Sequence, residues 1–395
     1  MIITEQESSE QALGRAIGVL FDAQRDLSPD NLAGLVEVVR VLLEADSARV
    51  HVADYALQRF QVIDENGPVG SSFPIEGTLA GRAFATGEVI EADGVLWVPL
   101  AEGTERLGAL ELNYDSPGGH APAFLDAVVT ALVLLFASKR RYTDVWLRTR
   151  RAEPLSPEAE LQWGLLPPLS CSSADVAVSG ILEPAYAIGG DSFDYALNPG
   201  RLDIAIVDAV GHGMKAVLMS AAAINSLRNV RRESGTLEDA YFQVGRVLDE
   251  HFGNCNYVTG QIGSLDLASG VLTWINAGHV LPLLVRNGTY VGELGCAPSM
   301  PMGLGGGVVQ VATETLQRGD RVLFYTDGIS ESRSPAGGLF GRERLADYLV
   351  RASLDRLPVA ETARRLSAAV VAHVGQGLRD DATLLLIEYR ESGQA

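Results

Sequence analysis

The sequence contains very little lysine and lacks an apolar run of membrane-spanning length. Lys139 and Lys215 are its only lysines, and its net charge is -19 over 395 residues. Because phosphate contacts require clustered Lys and Arg, this balance argues against a nucleic-acid or anionic-membrane partner. The most apolar stretch, residues 123–137, contains Asp126 and is shorter than the ~20 residues of a spanning helix. We therefore expect a packed or dimer-forming helix there.

Cysteine is also scarce and carries no recognisable pattern. Cys171, Cys255 and Cys296 show no CxxC spacing, so they predict neither a disulfide framework nor a zinc site. The opening residues, MIITEQESSEQALG, are acidic and lack the basic and apolar regions of a secretory signal. We expect a cytoplasmic protein, with two domains because 395 residues are long for a single core.

Four aspartates stand out at the ends of apolar, strand-like runs. Asp191 lies in GGDSFD, Asp208 in VDAVGHG, Asp327 in YTDG, and Asp380 begins DDATLLLI. Carboxylates gathered at strand ends repel one another unless cations neutralise them, and oxygen clusters are preferred by Mg²⁺ and Mn²⁺. One Asp-Gly alone is a common turn. The combination predicts a metal-dependent hydrolase.

The first half of the chain reads as a mixed helix and sheet domain at residues 11–150, after a flexible start at 1–10. Apolar residues at spacings of three and four predict a helix over 32–43, and alternating runs then predict strands. A long helix over 121–151 is expected to close the domain. The opening helix, antiparallel strands, glycine-punctuated region and closing helix together resemble a GAF domain.

The GAF resemblance rests on a glycine-rich stretch from Gly77 to Gly87 and on the order of elements. It implies a sensory or dimerisation domain with a possible small ligand, and no cysteine falls there for thiol attachment of a tetrapyrrole. His51 and His120 are conceivable haem ligands. A lone histidine in a strand or loop is more often structural, which is the interpretation we favour.

Residues 151–169 read as a linker that contains a short helix. Leu161, Leu165 and Leu166 are expected on one face of this helix, and Pro167 stops it. A helix in this place could transmit the state of the first domain to the second. A passive tether is the alternative.

The last segment, residues 170–391, alternates strands and helices without regular βαβ spacing. Thr236 and Asp239 form a capping-box variant, and Asn287-Gly288 is a strong type I′ hairpin signal. Residues 321–326 are apolar enough for a strand buried on both faces. Helices around antiparallel hairpins indicate an α+β layered sandwich.

The motifs of this segment, in order, are similar to the bacterial branch of the PPM (type 2C-like) serine/threonine phosphatases, which includes regulators of sporulation and stress sigma factors. The resemblance is carried by LQWGLLP, GGDSFDY, VDAVGHGMKAVLMSA, NAGHVLPLL, YTDGISESRS and DDATLLLI. It implies an αββα sandwich with two Mn²⁺ or Mg²⁺ ions. Direct hydrolysis follows, because two ions ~3.5–4 Å apart lower the pKa of a bridging water.

The resemblance also implies a role for each acidic residue. Asp208 would bridge both ions, Asp327 and Asp380 would share the first, and Asp191 with the carbonyl of Ala209 would hold the second. Asp208 should be indispensable, whereas the loop of Asp191 is expected to be the least constrained and the point of regulation.

Four further residues near these motifs receive secondary roles. Asp381 aligns beside the ligand position, and Asp194 is expected to support the site through hydrogen bonds. His212 and His279 could be general acids, but a turn-stabilising role is the interpretation we favour. The phosphate-binding arginine of the animal-type enzymes has no evident counterpart.

The resulting hypothesis is a cytoplasmic phosphoserine/phosphothreonine phosphatase, dimeric and regulated by its GAF-like domain. By family analogy its substrate would be a phosphorylated anti-sigma-factor antagonist of the sulfate-transporter/antisigma type. Two alternatives remain open. One is a pseudophosphatase or sensor that acts by binding, and the other is a hydrolase of small phosphate esters or nucleotides with the same binuclear site.

Overall fold

The computed structural model describes residues 9–63, 72–115, 121–187, 189–253, 255–305, 307–375, 377–378 and 380–390. The chain divides into two compact units, Met1–Pro154 and Leu155–Ala395. Most of the predicted flexible start, as well as His120, lies outside the described residues.

The N-terminal unit contains five helices and six strands in its described part. They are α1 (Ser9–Asp26), α2 (Leu32–Leu42), β1 (Ser47–Ala53), β2 (Arg59–Val62), β3 (Phe73–Pro74), α3 (Leu79–Thr86), β4 (Ile90–Ala92), β5 (Val95–Glu102), β6 (Glu105–Asn113), α4 (Pro122–Lys139) and α5 (Val145–Thr149).

One antiparallel sheet, in the order β3-β2-β1-β6-β5-β4, organises this unit. Side chains alternate across the sheet because the strand period is two residues. Val50 and Val52 of β1 therefore enter the core formed with α1, α2 and α4. The intervening His51 is buried with its Nε2 2.6 Å from the Glu111 carboxylate. This pairing agrees with a structural role for the histidine.

The closing helix is shorter than the sequence predicts. Helix α4 ends at Lys139, and a turn precedes α5, in which the Thr143 hydroxyl accepts a hydrogen bond from the Val145 amide. Lys139 itself is buried and donates to the carbonyl oxygens of Gln24 and Leu27. The expectation of one continuous helix over 121–151 was wrong, because residues 140–144 form a turn that periodicity does not reveal.

Helix α4 is long and apolar enough to cross a membrane by length and composition, and half of it is buried inside the protein. Val128, Leu132 and Phe136 lie in the core of the N-terminal unit. This burial is typical of the core helix of a folded domain.

The C-terminal unit contains the remaining elements. They are α6 (Pro157–Leu165), β7 (Ser170–Ser172), β8 (Val176–Glu183), β9 (Asp191–Asn198), β10 (Arg201–Ala209), α7 (Met214–Arg232), α8 (Leu237–Phe252), β11 (Val258–Asp266), β12 (Val271–Ala277), β13 (Leu283–Arg286), β14 (Thr289–Glu293), β15 (Val311–Thr315), β16 (Arg321–Tyr325), α9 (Asp327–Ser330), α10 (Arg342–Leu354), α11 (Val359–Val374) and β17 (Ala382–Tyr389).

Two antiparallel sheets form the centre of this unit. Their strand orders are β15-β12-β11-β10-β9 and β14-β13-β16-β17-β8-β7. Helices α7 and α8 pack on the first sheet, and α10 and α11 pack on the second. The sheets meet where the Phe193 ring covers Gly180, since a Cβ atom there would lie 2.3 Å from the ring. The layered α+β sandwich is confirmed.

Several local signals in the sequence match the structure. The capping box of Thr236 and Asp239 begins α8. Asn287 and Gly288 both have positive φ, 50° and 68°, as a type I′ turn requires. All five residues of β16 are buried, which confirms the strand expected at that place.

Candidate metal centre

Strand register brings the first two aspartates together. Strands β9 and β10 are antiparallel, and Asp191, the first residue of β9, stands directly opposite Asp208 near the end of β10. Opposite residues in such a ladder have Cα atoms about 4.5–5.5 Å apart. The backbone therefore holds both carboxylates at one end of the first sheet.

Asp327 follows strand β16 of the second sheet, and the residue before it, Thr326, connects this sheet to Asp191. The Thr326 hydroxyl donates to Asp191 Oδ2 at 2.7 Å and accepts from the Thr383 amide at 3.0 Å. Thr326 is buried and pairs with Thr383 through the backbone as well, at 3.0 Å. Asp327 follows as the first residue of α9. One hydroxyl thus connects strand ends of the two sheets.

The two adjacent acids before β17 have different environments. Asp380 is exposed, and its Oδ1 accepts the Asp381 amide at 3.0 Å. Asp381 is buried, and its carboxylate accepts the amides of Gly189 at 2.8 Å and Asp191 at 3.1 Å. Asp381 therefore fixes the start of β9, while Asp380 remains free to face an ion.

Glycine is required at two of these contacts. A Cβ atom on Gly328 would lie 1.8 Å from the Asp381 carbonyl oxygen. One on Gly190 would lie 2.6 Å from the Ala209 carbonyl oxygen. Only a residue without a side chain lets the backbone approach so closely. The carbonyl of Ala209 consequently lies beside Asp191 in the same cleft.

The carboxylates influence one another electrostatically. Burial, followed by the charges of Asp208 and Asp381, raises the pKa of Asp191 well above its usual value. Burial, followed by the charges of Asp327, Asp380 and Asp381, raises the pKa of Asp208 to about 7. Both shifts oppose the charged form, and a bound cation would reverse them.

The donor set suits hard divalent cations, because it consists of carboxylate and carbonyl oxygens. Among the described residues, no group of three His, Cys, Asp or Glu side chains is gathered closely enough to form a complete ion site. The four aspartates nevertheless lie near one another, since Asp208 stands opposite Asp191 and is affected by the charges of Asp327 and Asp380.

His279 stabilises the strand ends. The residue is half-buried, but its ring is enclosed, and burial lowers its pKa to about 4. Its Nε2 lies 3.1 Å from the Tyr325 carbonyl and its Nδ1 3.1 Å from the Thr259 hydroxyl. The ring is therefore neutral at pH 7, with a structural role. His212 is exposed in the loop between β10 and α7.

Two expectations about neighbouring residues were wrong. Asp194 does not face the cleft, since its carboxylate pairs with Arg228 at 2.7 Å and Arg231 at 2.8 Å on α7. Asp191 is not loosely held, because it is only 2% exposed and is bound by Thr326. Alternation along β9 explains the position of Asp194, because residues three positions apart in a strand point to opposite faces.

The face of α6 also differs from the prediction. Ala159 and Gln162 are its buried residues, whereas Leu161 is exposed. Leu166 has an extended backbone and lies outside the helix. The Leu165 carbonyl accepts from Arg228 at 2.7 Å.

A comparison with protein families matches residues 198–390 to the stage II sporulation protein E (SpoIIE) family. These residues form a SpoIIE-type PPM phosphatase domain. The phosphatase domain contains Asp208, Asp327 and Asp380, whereas Asp191 precedes the matched range. This match agrees with the resemblance that the motifs suggested.

Individual relatives are distant. Protein IcfG of Synechocystis sp. is 21% identical over 243 residues, which cover 54% of this chain and 38% of that protein. The chain thus spans about two fifths of the length of this relative.

Solved structures also match about half of the chain. The RsbU and RsbW domains of Rv1364c from Mycobacterium tuberculosis show 29% identity over 56% of this chain and 62% of that one, with a TM-score of 0.48. The SiaA-PP2C domain of Pseudomonas aeruginosa shows 22% identity over 54% and 85%, also with a TM-score of 0.48.

Proposed function

We propose that the protein hydrolyses phosphoserine or phosphothreonine on a protein substrate with the help of two divalent metal ions. The observation that carries this proposal is the convergence of Asp191, Asp208, Asp327 and Asp380 from two sheets, with raised pKa values at Asp191 and Asp208. When bound, two Mn²⁺ or Mg²⁺ ions would supply an activated water and positive charge for the phosphoryl oxygens.

The contacts favour distinct tasks for the ligands. The charges of Asp327 and Asp380 raise the pKa of Asp208, which indicates that Asp208 lies near both and is placed to bridge the two ions. Asp327 and Asp380 would hold the first ion with it. Asp191 would hold the second ion together with the Ala209 carbonyl, and the Thr326 hydroxyl would orient its carboxylate.

The test is Mn²⁺-dependent hydrolysis of a phosphoserine protein and of p-nitrophenyl phosphate by Asp208→Asn. We expect a loss of about 10³-fold, because the ions lose their shared ligand. Asp203→Asn is the matched control, since Asp203 lies five residues earlier on β10 and pairs with Arg201. Equal activity of Asp208→Asn and the native protein would refute the assignment.

An interaction protein remains the alternative, because no complete three-ligand cluster is found within the described part of the chain. Calorimetric titration with Mn²⁺ separates the two functions. A phosphatase should bind two ions per chain, whereas a scaffold has no need of them. Hydrolysis of p-nitrophenyl phosphate or a nucleotide, with no action on phosphoproteins, would instead indicate a small-molecule hydrolase.

The biological setting is proposed from the family. The substrate would be a phosphorylated anti-sigma-factor antagonist, and the protein would act in the cytoplasm as a homodimer. Residues 11–150 would form a GAF-like domain that senses a small ligand, residues 151–169 a linker with a switch helix, and residues 170–391 the catalytic domain. The antiparallel sheet of the N-terminal unit, flanked by helices, supports the GAF-like assignment.

Regulation would act through α6. The Leu165 carbonyl at its end accepts from Arg228, which also pairs with Asp194 on the strand that begins with Asp191. A shift of α6 would thereby reach the metal cleft. Arg231 also pairs with Asp194 but has no hydrogen bond to α6 among the described contacts, so Arg231→Gln is the matched control for Arg228→Gln.

We expect Arg228→Gln to change the Mn²⁺ concentration needed for half-maximal activity, and Arg231→Gln to lower stability without that change. Deletion up to Arg151 should alter activity or oligomeric state as well. If neither Arg228→Gln nor the deletion has an effect, the linker is a passive tether.

A further inference from the structure

An apolar surface begins directly beside the metal cleft. Val210 follows Ala209 in the chain, and Met214 and Leu218 lie on the first turns of α7. These three side chains are 37%, 38% and 45% exposed. We call them the α7 outer face.

The α7 outer face is not part of the packed core of the C-terminal unit. Met214 and Leu218 are four residues apart and therefore share one side of the helix. The side of α7 that packs on the sheet and on α8 is formed by other residues, including Ala216, Met219 and Ala223. Because the solvent side of a surface helix is usually polar, an apolar strip there indicates a binding surface.

A positive charge lies within the same surface. Lys215 is the only lysine of the C-terminal unit, and it is exposed. No carboxylate in the described part of the chain forms an ion pair with it. In a chain of net charge -19, an unpaired ammonium group seven positions after Asp208 is positioned to attract an acidic partner.

We propose that the α7 outer face and Lys215 bind the segment of the protein substrate that carries the phosphorylated residue. Apolar side chains of that segment would cover Met214 and Leu218, and an acidic residue beside the phosphorylated one would pair with Lys215. This inference rests on the proposed function, because the phosphoryl group must reach the four aspartates while its flanks lie on the adjoining surface.

Charge complementarity and continuity with the cleft argue for this occupant. The phosphorylated segment is anionic, and the acidic protein would otherwise repel it. Strand β10 carries Asp208 and leads through Val210 into α7, so a chain bound at the aspartates meets the outer face first.

Two phosphoserine peptides of equal length test the proposal. One has leucines and a glutamate beside the phosphoserine, and the other has serines in those places. The measurement is the ratio of their kcat/KM values with Mn²⁺ in the full-length protein. A folding defect or a weakened metal site lowers both values together, so the ratio isolates recognition of the flanks.

We expect Lys215→Glu to lower this ratio by about tenfold, because it replaces attraction by repulsion at an exposed pair. The double variant Met214→Ser/Leu218→Ser should lower it by about fivefold through lost apolar burial. Arg232→Glu and Leu354→Ser are the matched controls. Arg232 ends α7, about 25 Å along the helix from Lys215. Leu354 is exposed beside the Gly288 turn.

An unchanged ratio in both test variants overturns the inference, as does an equal fall in the controls. Sedimentation of the double variant adds a further check. If it loses a dimer while its ratio stays unchanged, the face is a contact between copies and the inference is wrong. If the native protein hydrolyses neither peptide nor p-nitrophenyl phosphate, the proposed function itself fails, and this inference fails with it.

Discussion

Replacing Thr326 with valine keeps the shape of a buried side chain and removes one hydroxyl. That hydroxyl donates to Asp191 at 2.7 Å and accepts from the Thr383 amide at 3.0 Å. Burial and like charges oppose the charged form of Asp191 in the metal-free protein, so both hydrogen bonds are counted as neutral, at about 0.5–1.5 kcal/mol each. We therefore expect Thr326→Val to lower the free energy of unfolding in EDTA by about 1–3 kcal/mol.

The same change should weaken metal binding. The Thr326 hydrogen bond is one of the two interactions that lower the pKa of Asp191, against the larger effect of burial. Without it the carboxylate holds its proton more strongly, and an ion must displace that proton. We expect a weaker Mn²⁺ affinity, with the difference from the native protein shrinking as pH rises.

Urea denaturation in EDTA measures the stability, and calorimetric titration with Mn²⁺ measures the affinity. Thr313→Val is the control, because Thr313 is exposed on the edge strand β15. Equal unfolding midpoints for Thr326→Val and the native protein would refute the reasoning. A loss of stability with unchanged Mn²⁺ affinity would show that the hydroxyl holds the sheets together without orienting Asp191.

Two further predictions concern the same cleft. Gly328→Ala places a Cβ atom 1.8 Å from the Asp381 carbonyl and should lower the Tm by several degrees, whereas Gly295→Ala, with open space around it, should have little effect in the same thermal scan. Folding raises the pKa of Asp208 to about 7, so in EDTA the folded state binds the extra proton and stability should fall as pH rises from about 4 to 7. Asp208→Asn should flatten this fall in urea midpoints, and an equally steep fall in the variant would contradict the assignment.

Local signals in the sequence predicted much of the fold. Asn287-Gly288 specifies its turn because both positions adopt positive φ, and Thr236 with Asp239 caps α8 through bonds within four residues. Such features depend on neighbours in the chain. The burial of Lys139 could not be predicted in this way, because its ammonium group is held by carbonyl groups more than 100 positions away in the sequence.

The candidate metal centre was likewise predictable only in part. The glycines next to Asp191, Asp208 and Asp327 in the sequence indicated an acidic site, and the family motifs assigned a role to each aspartate. Thr326 was missed, because a threonine before Asp-Gly carries no signal of its own. Asp381 was considered only as the neighbour of a ligand, although the paired aspartates were visible.

The sequence by itself determined which acidic residues are candidates for holding a divalent ion and which elements carry them, since strand ends, caps and turns follow from local chemistry. Only the tertiary structure decided how those residues stand toward one another. The register of β9 and β10 places Asp191 opposite Asp208. The contact between the two sheets brings the Thr326 hydroxyl to Asp191, and the alternation of side chains along β9 points Asp194 toward α7. These are contacts between distant segments, and no local pattern encodes them.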